Sequence, residues 1–373
     1  MKVSCSSVTL AEGLGIVSKA VSGNRRTLSN VLIQTDGSML RLSATDLEIG
    51  INCWIPARIG EPGKALVPAK LLTDLAKTLP DARLDAEMSD RSLSLGLSCC
   101  RFRASISTMD ADEFPSTTID AQDRIELDAQ VLKRAIGRVA FAAAKDQSRP
   151  ILSGVSMHFE NDGITLAAAD GFRIAKVFIA TKSIIAEPFS VIVPAKTLIM
   201  VGRFIRDDES VIIARPKENN QILFAIEQHI EVLSQLIQGE FPDYERIIPT
   251  EHYAQITLPA LALLSAVKAA FVFARDAAFN IRLHIEPGGT LSLFHSSNGN
   301  ECVGEIDCEV EALSGDGEVL DIAFNAEYLS DVLSAIGPRT AIIELIDKNS
   351  PGVFLDAATD DFLCVVMPMH LEM

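Results

Sequence analysis

The densest set of chemistry-bearing side chains in this 373-residue chain is Asp207-Asp208-Glu209, three neighbouring carboxylates of the kind that can ligate a hard cation. They follow a helical stretch at a turn, where a solvated acidic run is the simpler reading. Asp170-Gly171-Phe172 has the composition of a kinase triplet in scrambled order, without any other kinase element. The chain has no Gly-rich phosphate loop, no HExxH and no GxSxG. Seven cysteines (Cys5, Cys53, Cys99, Cys100, Cys302, Cys308 and Cys364) are odd in number, scattered and without CxxC spacing. They read as reduced thiols, most of them in cores. His158 and His284 stand at equivalent places of a repeat, which points to architecture rather than to a metal site. The expectation is a protein with no catalytic residue, no metal and no cofactor. A metal-dependent enzyme of duplicated domains built on Asp207 to Glu209 stays open as a rival.

The elements that would position these residues recur. Leu28-Ser29-Asn30-Val31 returns as Leu152-Ser153-Gly154-Val155, and Ala44-Thr45-Asp46 as Ala168-Ala169-Asp170. Val67-Pro68-Ala69-Lys70 returns as Val193-Pro194-Ala195-Lys196, and Asp112-Glu113-Phe114-Pro115 as Gly239-Glu240-Phe241-Pro242. Ser153 to Glu160 aligns with Phe279 to Glu286, and Phe324-Asn325-Ala326-Glu327 takes the place of Val-Pro-Ala-Lys in the last third. A period of about 125 residues exceeds that of solenoid units and suffices for a small domain with its own core. Three tandem homologous domains follow, at 1–120, 126–247 and 250–373.

Each repeat reads as α+β. Helical spacing opens the three copies at Val8 to Val21, Leu127 to Ala143 and Leu258 to Phe273. A second helix follows the landmark at Pro68 to Leu79, Pro194 to Phe204 and Asn325 to Ile336, with Pro in the first turn of two of them. Runs such as Val191-Ile192-Val193, Ser210 to Ala214 and Ile222 to Ile226 read as antiparallel strands. Phe114 to Asp123 and Phe241 to Ala254 read as linkers. No apolar run approaches the ~18 residues of a membrane span, and no secretory signal opens the chain, so the expected location is cytoplasmic, away from any membrane.

A net charge of −17 argues against a nucleic-acid partner until its distribution is considered. The helical segments carry Lys19, Arg25, Arg26, Lys70, Lys77, Lys133, Arg134, Arg138, Lys145, Lys196, Arg203, Arg206, Lys268 and Arg275. Against these stand only Glu12, Asp74, Asp128, Glu327 and Asp331. Cationic helices in an acidic protein can hold a polyanion on one surface while the others repel it.

Three signatures resemble a known family: Arg149-Pro150-Ile151-Leu152-Ser153-Gly154-Val155 followed by Ala168 to Ala175, Phe241-Pro242-Asp243-Tyr244-Glu245-Arg246-Ile247-Ile248-Pro249, and the ending Val365-Val366-Met367-Pro368-Met369-His370-Leu371. In this order, on a triplicated chain, they resemble the β sliding clamp of bacterial DNA polymerase III. The resemblance implies three clamp domains, each with two helices packed on antiparallel sheets. It further implies a head-to-tail homodimer forming a six-domain ring, with the cationic helices lining the hole.

The same resemblance implies the partners and sites. The partners would be duplex DNA without sequence preference, the replicative polymerase subunit, a clamp loader, other polymerases and repair proteins carrying a short hydrophobic motif, and a second copy of the chain. Catalysis would reside in the polymerase. A peptide-binding pocket would comprise Leu152, Ala169, Gly171, Phe172, Arg173, Ile174, Pro242, Arg246, Ile247, Val365, Val366, Met367, Pro368 and Met369, with Asn325 and Tyr328 beside it. Duplex DNA would meet Arg25, Arg26, Arg138, Arg149, Lys196 and Arg203. The subunit contact would bring Phe271, Val272 and Phe273 to Ile106 and Met109. Core packing is the competing reading for those five, as a docked terminal strand is for Val365 to Met369. The chain departs from the family's usual pattern at Ala169, at His370 and at the added Glu372 and Met373, which bears on peptide preference. A divergent clamp paralogue serving resistance or repair is the nearest alternative.

Overall fold

The computed structural model describes residues 1–373 apart from 24, 26, 90–92, 118–122, 147, 182–184, 186, 207–209, 216–219, 227–228, 275–278, 287–288, 298–299, 313–319 and 370–373. The order strand, helix, several strands, helix, three strands occurs three times. In the first repeat strand Lys2–Ser6 leads into α1 (Ser7–Val17), and α2 (Ala69–Thr78) precedes Arg83–Ser89, Ser94–Cys99 and Phe102–Ser107. In the second, Asp123–Asp128 leads into α3 (Ala129–Val139), and α4 (Ala195–Phe204) precedes Ser210–Arg215, Gln221–Ile226 and Ile230–Gln235. In the third, Ala254–Pro259 leads into α5 (Ala260–Ala274), and α6 (Ala326–Ile336) precedes Thr340–Leu345, Gly352–Asp356 and Phe362–Val366.

By contacts the chain forms two compact units, one of Met1–Leu132 with Met200–Leu236 and one of Lys133–Ile199 with Ile237–Met373. The first holds two antiparallel sheets. Its five-stranded sheet runs Arg58–Glu61, Lys2–Ser6, Arg83–Ser89, Ser94–Cys99, Phe102–Ser107. Alternation builds it: in Ser94–Cys99 every second residue, Leu95, Leu97 and Cys99, is buried. Its eight-stranded sheet pairs Ile49–Pro56 of the first repeat with Ile230–Gln235 of the second, so the two repeats share one hydrogen-bonded sheet. Helix α1 turns Leu10, Leu14 and Val17 onto these sheets, and each such burial stabilises by about 1.5–3 kcal/mol. Gly13 permits the approach, since a Cβ there would stand 2.8 Å from Leu42 Cδ1 and 2.9 Å from Ile55 Cγ2.

The second unit repeats the scheme. Its nine-stranded sheet places Arg173–Ala180 beside the terminal strand Phe362–Val366, with Arg173 opposite Val366 and Ile174 opposite Val365. A four-stranded sheet runs Asn300–Asp307, Thr290–Ser297, Asn280–Glu286, Leu320–Asn325. Helix α5 buries Leu263, Leu264, Val267 and Ala270, and α6 buries Leu329, Val332, Leu333 and Ile336. No helix among the described residues is long and apolar enough to cross a membrane.

Two local expectations change. Proline does not enter the first helical turn: Pro68 is the N-cap of α2 and Pro194 ends the strand before α4, so each closes a strand where its missing N–H costs nothing. Helices α1 and α3 are also shorter than their apolar spacing suggests, because 3-10 turns at Ser18–Ala20 and Ala140–Ala142 finish both. All seven cysteines are free thiols, and Cys100 is exposed rather than in a core. Burial pushes Cys5 and Cys53 up to about 11, which keeps both inert.

Candidate functional site

The Asp170 to Arg173 turn is built by one carboxylate. Asp170 Oδ1 accepts from the Phe172 amide at 2.9 Å and the Arg173 amide at 3.0 Å, an Asx turn that holds the backbone open. Gly171 sits at φ +95°, and Phe172 projects with 57% of its surface exposed. The terminal strand locks on from the side: the Met367 amide donates to the Phe172 carbonyl at 2.8 Å, and the Met369 amide to Ala323 at 2.8 Å. Met367 is left 38% exposed beside Phe172.

Beneath these lies an apolar floor. Ala169, Ile174, Val353 and Val365 are buried together, with Leu152, Phe241, Tyr244, Ile248, Leu355 and Leu363 packed against them. The segment after Phe241 carries Pro242, Arg246 and Ile247 outward, Ile247 at 49% exposure and Arg246 paired with Asp243 at 2.7 Å. Lys176 Nζ ties the segment down by its contact with Glu245 at 2.9 Å and lies 5.9 Å from the Tyr244 ring centroid. Burial and the neighbouring Glu245 push the Tyr244 hydroxyl up to about 12, so it stays protonated and available as a donor. The patch therefore offers apolar side chains around a floor with few polar groups, the chemistry of a site for an extended peptide with hydrophobic anchors.

Several expected contact residues support this patch instead of lining it. Arg173 is only 3% exposed. Its Nε donates to Asp170 at 3.0 Å, Nη1 to Asp331 at 2.7 Å and Nη2 to the Phe141 carbonyl at 2.7 Å, while its guanidinium stacks 4.4 Å from the Tyr328 ring centroid. Burial alone would lower the pKa of Arg173; Asp331 and Asp170 outweigh that and raise it. Val366 is fully buried, and Asn325 is half-buried with its side chain capping α6 through the Glu327 amide at 2.8 Å and the Tyr328 amide at 3.4 Å. Asp170, Asp331 and Phe141 were not expected in this constellation. Asp170 belongs to the quoted signature, but nothing local marks Asp331 or Phe141 as partners of Arg173.

The cationic residues divide. Arg25, Lys196 and Arg203 are exposed, the last two on α4 above buried Leu198 and Val201. Arg149 is exposed too, yet it belongs to the turn, donating to the Asp170 carbonyl at 3.2 Å next to Gly171. Arg138 is a correction: it is 2% exposed and cannot reach a phosphate. It is held by Asp356, by Asp361 at 2.7 Å and by the Phe362 ring, 5.2 Å from its centroid. Arg26, His370, Glu372, Met373 and the acids Asp207, Asp208 and Glu209 lie outside the described residues. Glu327 and Asp331 on α6 are both engaged, with Lys145 at 2.7 Å and with Arg173.

The expected subunit contact also divides. Ile106 is 4% exposed within its own sheet, where strand alternation turns it inward, and half-buried Met109, just past that strand, packs against Leu32, Leu66 and Phe114. On α5, Phe271 stacks on Phe279 with 5.4 Å between ring centroids, whereas Val272 and Phe273 remain 74% and 43% exposed.

Residues 1–119, 126–243 and 245–370 match the N-terminal, central and C-terminal domain families of the DNA polymerase III beta subunit. A protein of Synechococcus elongatus named beta sliding clamp is 30% identical over 385 residues, covering 100% of both chains. The solved DNA polymerase III subunit beta of Pseudomonas aeruginosa is 29% identical with a TM-score of 0.90, again over 100% of both chains. A sliding clamp of the same organism, solved bound to griselimycin, is 28% identical with a TM-score of 0.91 over 100% of both chains.

Proposed function

The chain belongs to the DNA polymerase III beta subunit family, the beta sliding clamps, and from that premise we infer how its residues serve the function. It is a DNA sliding clamp, a processivity factor built of three clamp domains. Two copies, head to tail, close a six-domain ring on duplex DNA in the cytoplasm, and catalysis resides in the polymerase that the ring tethers. Tethering works through effective concentration: a polymerase that lets go rebinds its template as an intramolecular event.

DNA is held by enclosure, so its contacts need only be weak and independent of sequence. Arg25, Lys196 and Arg203 are the cations whose exposure supports such contacts, while the net charge of −17 keeps DNA from other surfaces. Domain limits at 1–120, 126–247 and 250–373 accord with the sequence period.

Polymerase, clamp loader, other polymerases and repair proteins would share the patch of the second and third repeats through a short peptide with hydrophobic anchors. The observation that carries this reading is the cluster of exposed Phe172, Ile247 and Met367 over the buried floor of Ala169, Ile174 and Val365. An apolar patch of this kind, rimmed by polar residues, marks a partner surface. Leu152, Gly171, Pro242, Tyr328, Pro368 and Met369 would complete its walls, with Arg149 and Arg246 at the rim and Arg173, Val366 and Asn325 in support. Unbranched Met side chains adapt to different partner sequences. Fluorescence polarisation of a labelled peptide containing Gln followed by Leu and Phe tests it. The expected result is saturable binding that Met367→Ala with Met369→Ala weakens about tenfold or more, some 1.4 kcal/mol. Equal affinity in the variant would sink the assignment.

A further inference from the structure

The turn that presents Phe172 has a structural twin in the first repeat. Asp46 Oδ1 accepts from the Glu48 amide at 2.9 Å and the Ile49 amide at 2.7 Å, as Asp170 does from Phe172 and Arg173. The Gln235 amide donates to the Glu48 carbonyl at 2.8 Å, as the Met367 amide does to Phe172 at the same distance. Phe114-Pro115 stands where Phe241-Pro242 stands in the second repeat. The backbone frame of the peptide patch is thus built twice.

The twin is not filled in. Beside it lies a recess of about 110 Å³ lined by Leu47, Glu48, Pro115, Thr117, Leu233 and Gln235. That volume takes one short side chain. Leu47, in the place of Gly171, holds φ +77°, a conformation that leucine rarely adopts, and is still 44% exposed. Backbone strain that persists at an exposed apolar residue concentrates at ligand clamps. Chemistry separates the twins: Glu48 replaces Phe172, and Glu231, accepting from Asn52 Nδ2 at 3.2 Å, lies on the same strand face as Leu233 and Gln235. The hydrophobic anchor of one site is an acid in the other.

We propose that this recess is a second docking site, for an extended segment of a partner protein that carries Lys or Arg beside a small apolar residue. The cation faces Glu48 and Glu231, and the apolar neighbour enters the recess against Leu47, Pro115 and Leu233. The assignment goes beyond the clamp reading and rests on the repeated turn rather than on what binds at Phe172.

The probe is a fluorescein-labelled octapeptide with a central Val-Arg-Val in a Gly-Ser background, titrated with the full-length protein at low salt. Saturable binding is expected. It should weaken at least tenfold when Glu replaces the central Arg and in Glu48→Arg, weaken several-fold in Leu47→Gly, and stay unchanged in Met367→Ala with Met369→Ala. Leu47→Gly relieves the positive φ, so it tests the contact without threatening the fold. No saturable binding, equal affinity in Glu48→Arg, or loss in the Met367 and Met369 variant, which would put the peptide at the other turn, each overturns the proposal.

Discussion

Arg138 and Arg173 read in sequence like any other cations, and burial separates them from the rest. Each has only 2% of its side chain exposed and is held by carboxylates: Asp356 and Asp361, both more than 200 residues away, for Arg138, and Asp170 of its own turn with the distant Asp331 for Arg173. Removing one partner of an isolated buried pair costs about 3–5 kcal/mol. Arg138→Ala leaves Asp356 with Arg339, and Asp361 is partly exposed, so the expected loss in urea denaturation is smaller, about 1.5–3 kcal/mol for the charged hydrogen bonds removed, and unchanged stability would contradict the burial. The pair also sets a pH signature. Burial alone would raise the Asp356 carboxyl, but the Ala358 amide, Arg339 and Arg138 hold it below its ordinary value. A depressed folded pKa gives stability that is present above the unfolded value of about 3.9 and fades as pH falls through the folded one. The gap between wild type and Arg138→Ala should thus be constant around neutrality and shrink below about pH 4. A helix position alone could not reveal this, because the acids that decide it arrive from the other end of the sequence.

At the scale of elements, local signals were legible and distant pairings were not. Four of the six helices fall within the segments read from apolar spacing and the Val-Pro-Ala-Lys landmark, and α1 and α5 overrun theirs by one residue, at Ser7 and Ala274, since spacing and caps are properties of neighbouring residues. The junction of Ile49–Pro56 with Ile230–Gln235 has no such local mark, and neither has that of Arg173–Ala180 with Phe362–Val366. Ile106 shows the same limit: the period of its own strand turns it into the first repeat's sheet, which its residue type alone does not show. Of the proposed peptide site, the turn and the terminal strand were legible as motifs. Which of their side chains face outward was not, because that depends on the strand each one packs beneath. The Asp170 to Arg173 turn gives a test at this scale. At φ +95°, a side chain on Gly171 meets backbone strain of about 1–3 kcal/mol, and its Cβ would stand 3.0 Å from Arg149 Nη1. The arginine end can swing aside; the backbone cannot. Gly171→Ala should lower the melting temperature and weaken the hydrophobic peptide together, whereas Arg149→Ala should leave the melting temperature in place. Unchanged peptide affinity in Gly171→Ala would mean that the turn does not shape the site.

For the whole molecule, function depends on closure, and closure depends on surfaces that one chain leaves uncovered. With Ile106 buried and Met109 half-buried in the first repeat, Val272 and Phe273 at the end of α5 are the members of the expected contact set presenting the largest exposed apolar area. Both are far enough from buried Leu263 and Val267 that polar replacement should spare the domain's own packing. Val272→Ser with Phe273→Ser is expected to sediment as a folded monomer at concentrations where the parent sediments as a dimer. The decisive readout is topological. A closed ring on nicked circular DNA cannot slide off, while the same ring on linear DNA escapes at the ends, and weak phosphate contacts hold neither once salt is raised. The parent protein, once loaded, should stay on circular DNA through a high-salt wash and leave when the circle is cut; the variant should be washed from both. Salt-sensitive retention of the parent on circular and linear DNA alike would mean that the cationic helices grip DNA by charge without enclosing it. Loss of retention in a variant that still dimerises would move the role of Val272 and Phe273 from closing the ring to loading it.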